Sequence, residues 1–356
     1  MSPVTVDAPR VVLVTGASHF LGGSTAARLA GHPSVERVIA VDTEPPREGA
    51  YRTEHSSDAA TVEFVRADIR NPLIAKVIAS AGVDTVVHAA LSANPGRSGG
   101  RSAMKDMNVI GSMQLLAACQ GAPTVRRLVV KSTTAVYGSR SRDPAVFTEQ
   151  VEPKALTWGG HAKDCAEIEG YVRGFARRRP DVAVTILRFA NVVGPRMDTA
   201  LTRYFSLPLV PTVLGFDARV QLLHEEDALA VLELACTAPA AGTFNVAADG
   251  VLLLSQAIRR AGRIGVPVPA QLTSTVARFV RGARLVDFSP EQVQYLNFGR
   301  VVDTSALTRE LGFRPRWTTQ QAFDDLVTSR GLRPVLDPDR VRALEERAVS
   351  VAGMLP

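Results

Sequence analysis

A glycine turn between an apolar run and a helix-forming stretch is the first feature of this chain with a recognisable chemistry. Residues 11–14 are apolar and mostly β-branched, which favours a strand buried on both faces, and a turn from Gly16 to Gly22 follows. Residues 24–30 are rich in helix formers, so the turn leads to a helix N-terminus, where free N–H groups and the helix dipole bind a pyrophosphate. Asp42 follows Gly16 by roughly 25 residues, the spacing at which a carboxylate binds an adenosine ribose. These residues predict a site for NAD rather than NADP, because Asp42 would repel a 2′-phosphate.

The residues between Gly16 and Gly22 do not decide how the turn would contact the phosphates. His19 stands where a middle glycine is typical, and its Cβ could block close approach of the diphosphate. Its ring could instead swing aside, donate a hydrogen bond to the phosphates, or face solvent. The predicted cofactor contacts in this turn are Gly16, His19, Phe20, Leu21 and Gly22.

Length and composition limit the class of protein. The chain has 356 residues, 46% hydrophobic and 21% charged, which suits a globular protein with one large α/β domain and an appended lobe. No apolar run approaches a membrane span, and residues 1–10 lack a signal-peptide core, so we expect a cytoplasmic protein without membrane contact. Cys119, Cys165 and Cys236 lack metal-type spacing, which predicts reduced core residues and no metal site. The net charge of +6 is modest, and no aromatic-basic platform indicates a nucleic-acid partner.

Strands and helices alternate along most of the chain. Apolar runs predict seven strands, at residues 11–14, 37–41, 62–66, 84–88, 126–131, 183–188 and 242–246. With helices between them, they predict an α/β fold, a Rossmann-type doubly wound parallel seven-stranded sheet. Residues 9–190, completed by about 220–262, would form this NAD-binding domain. The expected remainder is a smaller C-terminal substrate lobe from residues 191–219 and 263–330, and a tail helix at 331–356.

Polar and small residues follow three of the predicted strands at their carboxyl ends, where open α/β sheets bind ligands. Asp68, after the third strand, would face the adenine edge or cap the helix that begins near residue 71. Ala89 and Ala90, after the fourth strand, let a ligand lie against the backbone. Residues 132–138, after the fifth strand, carry several hydroxyl groups and are functional candidates.

In this order of motifs the chain resembles the extended short-chain dehydrogenase/reductase family, in particular the NAD-dependent epimerase/dehydratase branch that includes UDP-glucose 4-epimerases, and is similar to its actinobacterial members. The resemblance covers about residues 11–319. The matching segments are residues 15–22, 42, 68–69, 88–90, 108–111, 132–138, 188–195, 224–227, 242–246 and 311–313. Beyond the glycine turn, the resemblance implies NAD contacts at Asp42, Asp68, Ile69, Ala89, Ala90, Asn108 and Lys163.

The resemblance also implies three catalytic side chains: a Ser or Thr, a Tyr, and a Lys four residues after the Tyr. In that family the tyrosinate is the base, the Lys lowers its pKa and holds the ribose, and the hydroxyl orients the substrate oxygen. Thr133 takes the hydroxyl position, and Lys163 the lysine position, with Glu167 after it as in the family's helix. The Tyr position is then Gly159. Tyr137 is a weaker candidate for the relay, and packing in a tight turn is the interpretation we favour for it.

Two functions fit these residues. The first is an NAD-dependent epimerase/dehydratase-type oxidoreductase acting on a nucleotide sugar such as UDP-glucose or UDP-galactose, with the proton relay supplied by Tyr137, water or the substrate. The second is a catalytically silent NAD-binding sensor or partner subunit with the same fold. For the first, the substrate contacts that the resemblance implies are Thr133, Thr134, Asn191, Arg219 and Gln221, although Arg219 could equally form a surface salt bridge.

The predicted helices at residues 104–119 and 163–177 carry apolar faces wider than one sheet contact needs. The resemblance implies that they pair with a second copy of the chain in a four-helix bundle, which makes a homodimer the expected assembly.

Overall fold

The computed structural model describes residues 7–46, 61–91, 100–153, 160–239, 241–269 and 290–335. Gly159, the predicted tyrosine position, lies outside the described residues, and so do residues 336–356 of the predicted tail.

Fourteen strands are present in this part of the chain. They are β1 (Val11–Thr15), β2 (Arg37–Asp42), β3 (Val62–Arg66), β4 (Thr85–His88), β5 (Arg127–Thr133), β6 (Ala183–Phe189), β7 (Asn191–Val193), β8 (Leu209–Val213), β9 (Arg219–Val220), β10 (Leu222–His224), β11 (Gly242–Val246), β12 (Leu252–Leu253), β13 (Ile264–Val268) and β14 (Gly299–Arg300).

The helices lie mostly between these strands. They are α1 (Phe20–Ala30), α2 (Leu73–Ala81), α3 (Arg101–Lys105), α4 (Gly111–Gly121), α5 (His161–Arg178), α6 (Ala200–Ser206), α7 (Glu225–Thr237), α8 (Leu254–Arg260), α9 (Pro290–Phe298), α10 (Ser305–Arg309) and α11 (Thr319–Ser329). A π-helical turn, Asp106–Ile110, joins α3 to α4, and a 3-10 turn, Thr134–Tyr137, follows β5. No helix among the described residues is long and apolar enough to cross a bilayer.

The seven predicted strands form one parallel sheet in the order β11-β6-β5-β4-β1-β2-β3. The predicted Rossmann-type doubly wound sheet is therefore confirmed. The chain moves from β1 through β2 to β3 at one edge, then crosses back to β4 on the other side of β1. This reversal creates a crevice at the carboxyl ends of β1 and β4, the place where such sheets bind ligands. We call it the switch-point cleft.

Two separate apolar cores support the described chain. The core of the sheet is continuous across adjacent strands: Ile39, Leu13, Val86 and Leu128 are register partners, and each is at most 1% exposed. The second core lies in the segments that follow β6, where the rings of Phe205 and Phe323 meet edge to face at 4.8 Å. Each core removes a large apolar area from water, which is the main stabilising contribution to a fold of this kind.

One predicted helix differs from the observed one. The stretch predicted at residues 104–119 is interrupted by the π turn, and the helical path runs from Arg101 to Gly121. Gly111 follows the π turn against Ile69: a Cβ added there would lie 2.8 Å from Ile69 Cδ1. This close approach explains a glycine inside a helical stretch, where glycine is otherwise unfavourable.

The first testable consequence concerns glycines with positive φ. Gly299 (φ +67°) and Gly215 (φ +85°) both strain any residue with a Cβ, but a Cβ at Gly299 would overlap the Arg219 backbone, whereas at Gly215 it meets nothing within 4 Å. Gly215→Ala should reduce the free energy of unfolding by about 1–2 kcal/mol, and Gly299→Ala by a further ~1–3 kcal/mol. Urea titrations of both variants measure the difference. Equal losses would show that β14 does not pack on β9 as described.

Candidate active site

The glycine turn is closed tightly against the end of β4. Gly16 has φ +76°, and its N–H donates to Val41 O at 3.0 Å. A Cβ at Gly16 would lie 2.7 Å from Ala90 Cα, and one at Gly22 would overlap the Gly16 carbonyl oxygen. Only glycine fits either position, because the conflicting atoms belong to the backbone and cannot turn away.

The N-terminus of α1, which the turn leads into, is arranged to receive an anion. His19 is its N-cap residue and makes no side-chain cap, and no acidic residue stands in the first turn. The first N–H groups of a helix have no partner within it and carry partial positive charge. Phe20 and Leu21, the first two helical residues, therefore supply N–H groups suited to a phosphate.

Asp42 fastens the same turn from the end of β2. Its Oδ2 accepts from Ser18 N–H at 2.9 Å, its Oδ1 accepts from Thr43 N–H at 2.7 Å, and His19 Nδ1 lies 3.6 Å from Oδ2. Burial would raise the pKa of Asp42, but the His19 contact and the two N–H groups outweigh it and lower that pKa, so the carboxylate stays ionised. A carboxylate offers about four acceptor positions, which leaves some for ribose hydroxyls.

His19 itself has ordinary extended geometry (φ −94°), and its side chain is 53% exposed. The ring lies beside Asp42. The sequence allows a ring that swings aside, contacts the phosphates or faces solvent; the structure adds a contact with the Asp42 carboxylate and leaves the ring half open to solvent.

The other predicted cofactor residues have different surroundings. Asp68 forms an ion pair with Arg70, whose guanidinium lowers the pKa of that carboxyl. Asp68 does not cap α2, so that alternative is wrong: the side chain of Asn71 accepts the Leu73 N–H there. Ile69 and Ala89 are buried, and Ala90 lies against Gly16 as described above.

The carboxyl ends of β5, β6 and β11 carry a row of buried polar side chains. Ser132, Arg188 and Asn245 are register partners across these three strands. Glu169 of α5 lies over the row and is fully buried. It accepts from Ser132 Oγ at 2.6 Å and from Arg188 Nε and Nη2 at 3.0 and 2.7 Å. A two-pronged ion pair of this kind fixes both position and orientation.

Tyr137 completes that row. Its hydroxyl accepts from Arg188 Nη1 at 2.7 Å and donates to Asn245 Oδ1 at 2.8 Å, and its ring stacks on Phe147 at 4.8 Å. Burial raises its pKa. The phenol is fully buried and bonded through both its oxygen and its proton, which is the packing role that the sequence favoured as a prediction for Tyr137.

The Glu169 anchor sets which face of α5 meets the sheet. Residues four apart share a helix face, so Cys165 and His161 lie one and two turns before Glu169 on that face. Cys165 is 1% exposed, and its Sγ lies 3.5 Å from His161 Nε2. Lys163 is exposed. Lys163 precedes Cys165 by two residues, so its side chain leaves the helix roughly 200° around the axis from that of Cys165.

The assignment of Lys163 as the catalytic and ribose-binding lysine is therefore corrected. That assignment took Glu167 as the carboxylate after the lysine, but Glu167 is half-buried and accepts a hydrogen bond from Tyr171 at 3.0 Å. Glu169 is the residue that makes the buried ion pair. The buried stripe of α5, Ala162, Cys165, Ile168, Val172 and Phe175, was the sequence signal for this register.

Lys131, which the sequence interpretation did not select, lies on β5 two residues before Thr133 and so on the same face of the strand. Its Nζ is 3.4 Å from Leu91 O, just after β4. Burial lowers its pKa, and proximity to Cys165 partly opposes that shift. His88, at the end of β4, bonds Thr15 Oγ1 and Ser112 Oγ, and burial together with the Lys131 charge lowers its pKa to about 4.

A second buried ion pair holds the start of α5. Asp164, 1% exposed, accepts from both terminal nitrogens of Arg101 at 2.7 Å, and Arg101 also donates to Gly160 O. Asn108, in the π turn, donates to the same carboxylate at 3.3 Å. The predicted cofactor residue Asn108 thus lies at the junction of the π turn with α5, and the sequence carried no signal for its partner.

The predicted substrate residues differ in burial and in hydrogen bonding. Thr133 is half-buried, and its Oγ1 accepts the Ala135 N–H at 3.2 Å, while Thr134 is buried. Asn191 and Arg219 are partly exposed on β7 and β9. Gln221 is corrected: it is 7% exposed and its amide bonds Ala248 O and the Val302 N–H, so it ties backbone segments together. No group of His, Cys, Asp and Glu side chains within the described ranges could hold a metal.

Comparisons with known proteins identify the family and the fold. The model of the "NAD dependent epimerase/dehydratase family" matches residues 12–247. An uncharacterized protein of Mycobacterium tuberculosis is 56% identical over 344 residues, which are 97% of this chain and 90% of that protein.

Two solved structures are similar in fold. A UDP-glucose 4-epimerase of Thermotoga maritima, crystallised with UDP-glucose, has a TM-score of 0.67 at 18% identity and covers 90% of this chain and 98% of its own. A dTDP-glucose 4,6-dehydratase of Bacillus anthracis, in complex with NAD, has a TM-score of 0.67 at 18% identity over 90% and 96% of the two chains.

The two acidic residues on α5 provide a direct test of its register. Glu169→Gln should lower the free energy of unfolding by about 3–5 kcal/mol, because it leaves the Arg188 guanidinium buried without a counter-charge. Glu167→Gln, the matched control on the same helix, should change it by less than about 0.5 kcal/mol. Urea unfolding followed by circular dichroism measures both. A larger loss at position 167 would restore the register that puts Lys163 in the cleft.

Proposed function

The chain belongs to the NAD-dependent epimerase/dehydratase family, and we propose that it is an oxidoreductase of this kind that acts on a nucleotide sugar. The observation that carries the proposal is the glycine turn: Gly16 and Gly22 close it against Ala90, and it leads to a helix N-terminus without an acidic residue. A dinucleotide needs such a turn for its pyrophosphate, and Asp42 stands at the adjoining strand end.

The residues proposed to hold NAD follow from this geometry. The N–H groups of Phe20 and Leu21 would bind the pyrophosphate, and the free acceptor positions of Asp42 would bind the adenosine ribose. Ala89 and Ala90 would line the path toward the end of β5. When bound, NAD accepts a hydride from a substrate carbon. The protein must then place a sugar hydroxyl near Thr133 and accept its proton.

One cationic side chain, Arg219, supports a nucleoside diphosphate as the other part of the substrate. Arg219 on β9 is the register partner of Gly299, and Arg300 follows on β14. Arg300 donates to Gly138 O and Ser139 Oγ, so it joins the second core to the loop after the 3-10 turn. Arg300 is one residue out of register with Arg219, so the two side chains lie on opposite faces of these strands, and Arg219, which is partly exposed, is the one proposed to contact the diphosphate that links a nucleoside to a sugar.

A silent NAD-binding sensor or partner subunit is the second candidate, and one observation favours it. The residues that α5 turns toward the sheet at its start are His161 and Cys165, not a tyrosine and a lysine. Loss of a general base costs about 10²–10⁴ in rate unless another group replaces it. A protein that binds NAD and a nucleotide sugar but reduces no NAD would be this sensor.

The cofactor proposal predicts a preference for NAD that depends on Asp42. The wild type should bind NAD with micromolar affinity and NADP more weakly. Asp42→Asn should narrow the preference by roughly tenfold, since it removes one charge-assisted interaction of about 1.5 kcal/mol. Glu63→Gln, an exposed acid on the next strand, is the control and should leave both affinities unchanged. Titration calorimetry that finds no NAD binding to the wild type would overturn the proposed function.

The homodimer remains a prediction, with α4 and α5 of each copy in a four-helix bundle. It is supported by Ile110 and Met113, which are 44% and 45% exposed beside and on α4. Met113→Lys should convert a dimer into a monomer of 38.1 kDa, because it puts a charge in an apolar contact. Leu209→Lys, at an exposed apolar residue on β8, should not. Light scattering at micromolar concentration distinguishes the two, and a monomeric wild type would contradict the prediction.

A further inference from the structure

The start of α5 presents two functional side chains toward the sheet. Because Glu169 is fastened to Ser132 and Arg188, the preceding residues on its face are Cys165 and His161. Cys165 is buried, while His161 is only half-buried, and the thiol sulfur lies 3.5 Å from Nε2 of the ring. This contact holds the imidazole at the start of α5, a helix that also packs against the 3-10 turn.

Lys131 approaches the same region from the sheet. It is partly buried on β5, on the strand face that also carries Thr133, and it is close enough to Cys165 for its charge to be felt there. Its contact with Leu91 O, at 3.4 Å, is longer than a good hydrogen bond. Burial without a counter-charge is costly for an ammonium group, and a single long contact with a carbonyl oxygen compensates for little of that cost. Perturbed titratable groups of this kind cluster at functional sites.

The titratable groups on the buried side of the start of α5 are paired or neutral among the described residues, with the exception of Lys131. Asp164 and Arg101 neutralise each other in their ion pair, and His88 is neutral above its pKa of about 4. Lys131 is the cation among these groups without a paired carboxylate. Its field favours neutral imidazole at His161 and also favours negative charge on a nearby oxygen. Those are the two requirements for removing a proton from a sugar hydroxyl.

We propose that His161 exchanges the proton with the substrate hydroxyl, that Cys165 is its positioning residue, and that Lys131 stabilises the substrate oxygen. This inference rests on the proposed function. In the forward step the O–H bond breaks and its proton goes to a nitrogen of neutral His161. The C–H bond breaks at the same time, and its electron pair and hydrogen pass as hydride to NAD. The products are a ketone, imidazolium and reduced cofactor, and the total charge is unchanged. In the reverse step imidazolium returns the proton.

The role of Lys131 differs from that of His161. It does not transfer a proton, but it stabilises the oxygen on which charge develops and keeps the imidazole ready to accept. Lysine thus reaches the reacting region from strand β5, whereas the sequence interpretation expected it from helix α5. Thr133 remains the hydroxyl that orients the substrate oxygen in this proposal.

The experiment uses the purified full chain with NAD and two probes, UDP-glucose and dTDP-glucose. His161→Phe should lower kcat by roughly 10²–10⁴ while NAD affinity by calorimetry stays within about twofold, since the ring is not part of the NAD site. His32→Gln, a half-buried histidine bonded to Ser34 before β2, is the control and should change neither. Lys131→Met should lower kcat, and Lys76→Met, an exposed lysine on α2, should not.

A readout without turnover separates a positioning role from a structural one. Nuclear magnetic resonance of ¹³C-labelled histidine follows the His161 titration, and the signal is assigned by its loss in His161→Phe. Lys131→Met should raise the pKa of His161, because it removes a nearby cation that disfavours imidazolium. Lys76→Met should leave that titration unchanged.

Each other result has a defined meaning. A wild type that fails to bind NAD overturns the proposed function. A wild type that binds NAD and a probe but never reduces NAD overturns this inference and leaves the sensor candidate. Full activity in His161→Phe, or an unmoved His161 titration in Lys131→Met, overturns it with the proposed function intact. If Lys163→Met lost activity and Lys131→Met kept it, the catalytic lysine would be the exposed Lys163 and not Lys131.

Discussion

The buried ion pair between Glu169 and Arg188 is the constraint on which the candidate site depends. Both charges are almost completely removed from water, and such a pair repays its desolvation only when geometry and additional hydrogen bonds are very good. Here Ser132 and Tyr137 supply those hydrogen bonds, and Asn245 satisfies Tyr137 in turn. Because the row spans three strands, the pair can form in only one register of α5 against the sheet.

That register then determines what each residue at the start of α5 can do. One helical turn separates Glu169 from Cys165, and another separates Cys165 from His161, so both side chains follow the anchor. Asp164, held by Arg101, prevents the end of the helix from rotating. α5 is thus fastened at two points by buried carboxylates, and Lys163 lies on its exposed face.

The other half of the site depends on close packing instead of charge. The turn after β1 approaches the residues after β4 so closely that Gly16 cannot carry a side chain. His88 bonds Thr15 beside it, which ties the ends of the same two strands together. The turn is therefore already formed without a ligand, and a preformed site reduces the entropy that binding must overcome. The two halves meet at the end of β5, where Lys131 and Thr133 share one strand face.

The sequence by itself determined the sheet, the glycine turn and Asp42. Strand alternation, turn glycines and a strand-end carboxylate are local patterns, since each depends on residues close together in the chain. The sequence did not determine the role of a residue whose side chain can bond several kinds of partner. Gln221 looked like a ligand contact from its position, yet it bonds two backbone groups that are distant in sequence.

Only the tertiary structure decided the rotation of α5. Glu167 and Glu169 are both acidic, both helical and two residues apart, and either could follow a catalytic position in sequence. The choice between them depends on which carboxylate reaches Arg188, a residue on a different strand. A helix pattern specifies that a segment is helical, but a long-range buried contact specifies which face meets the sheet, and His161 and Cys165 follow Glu169 on that face.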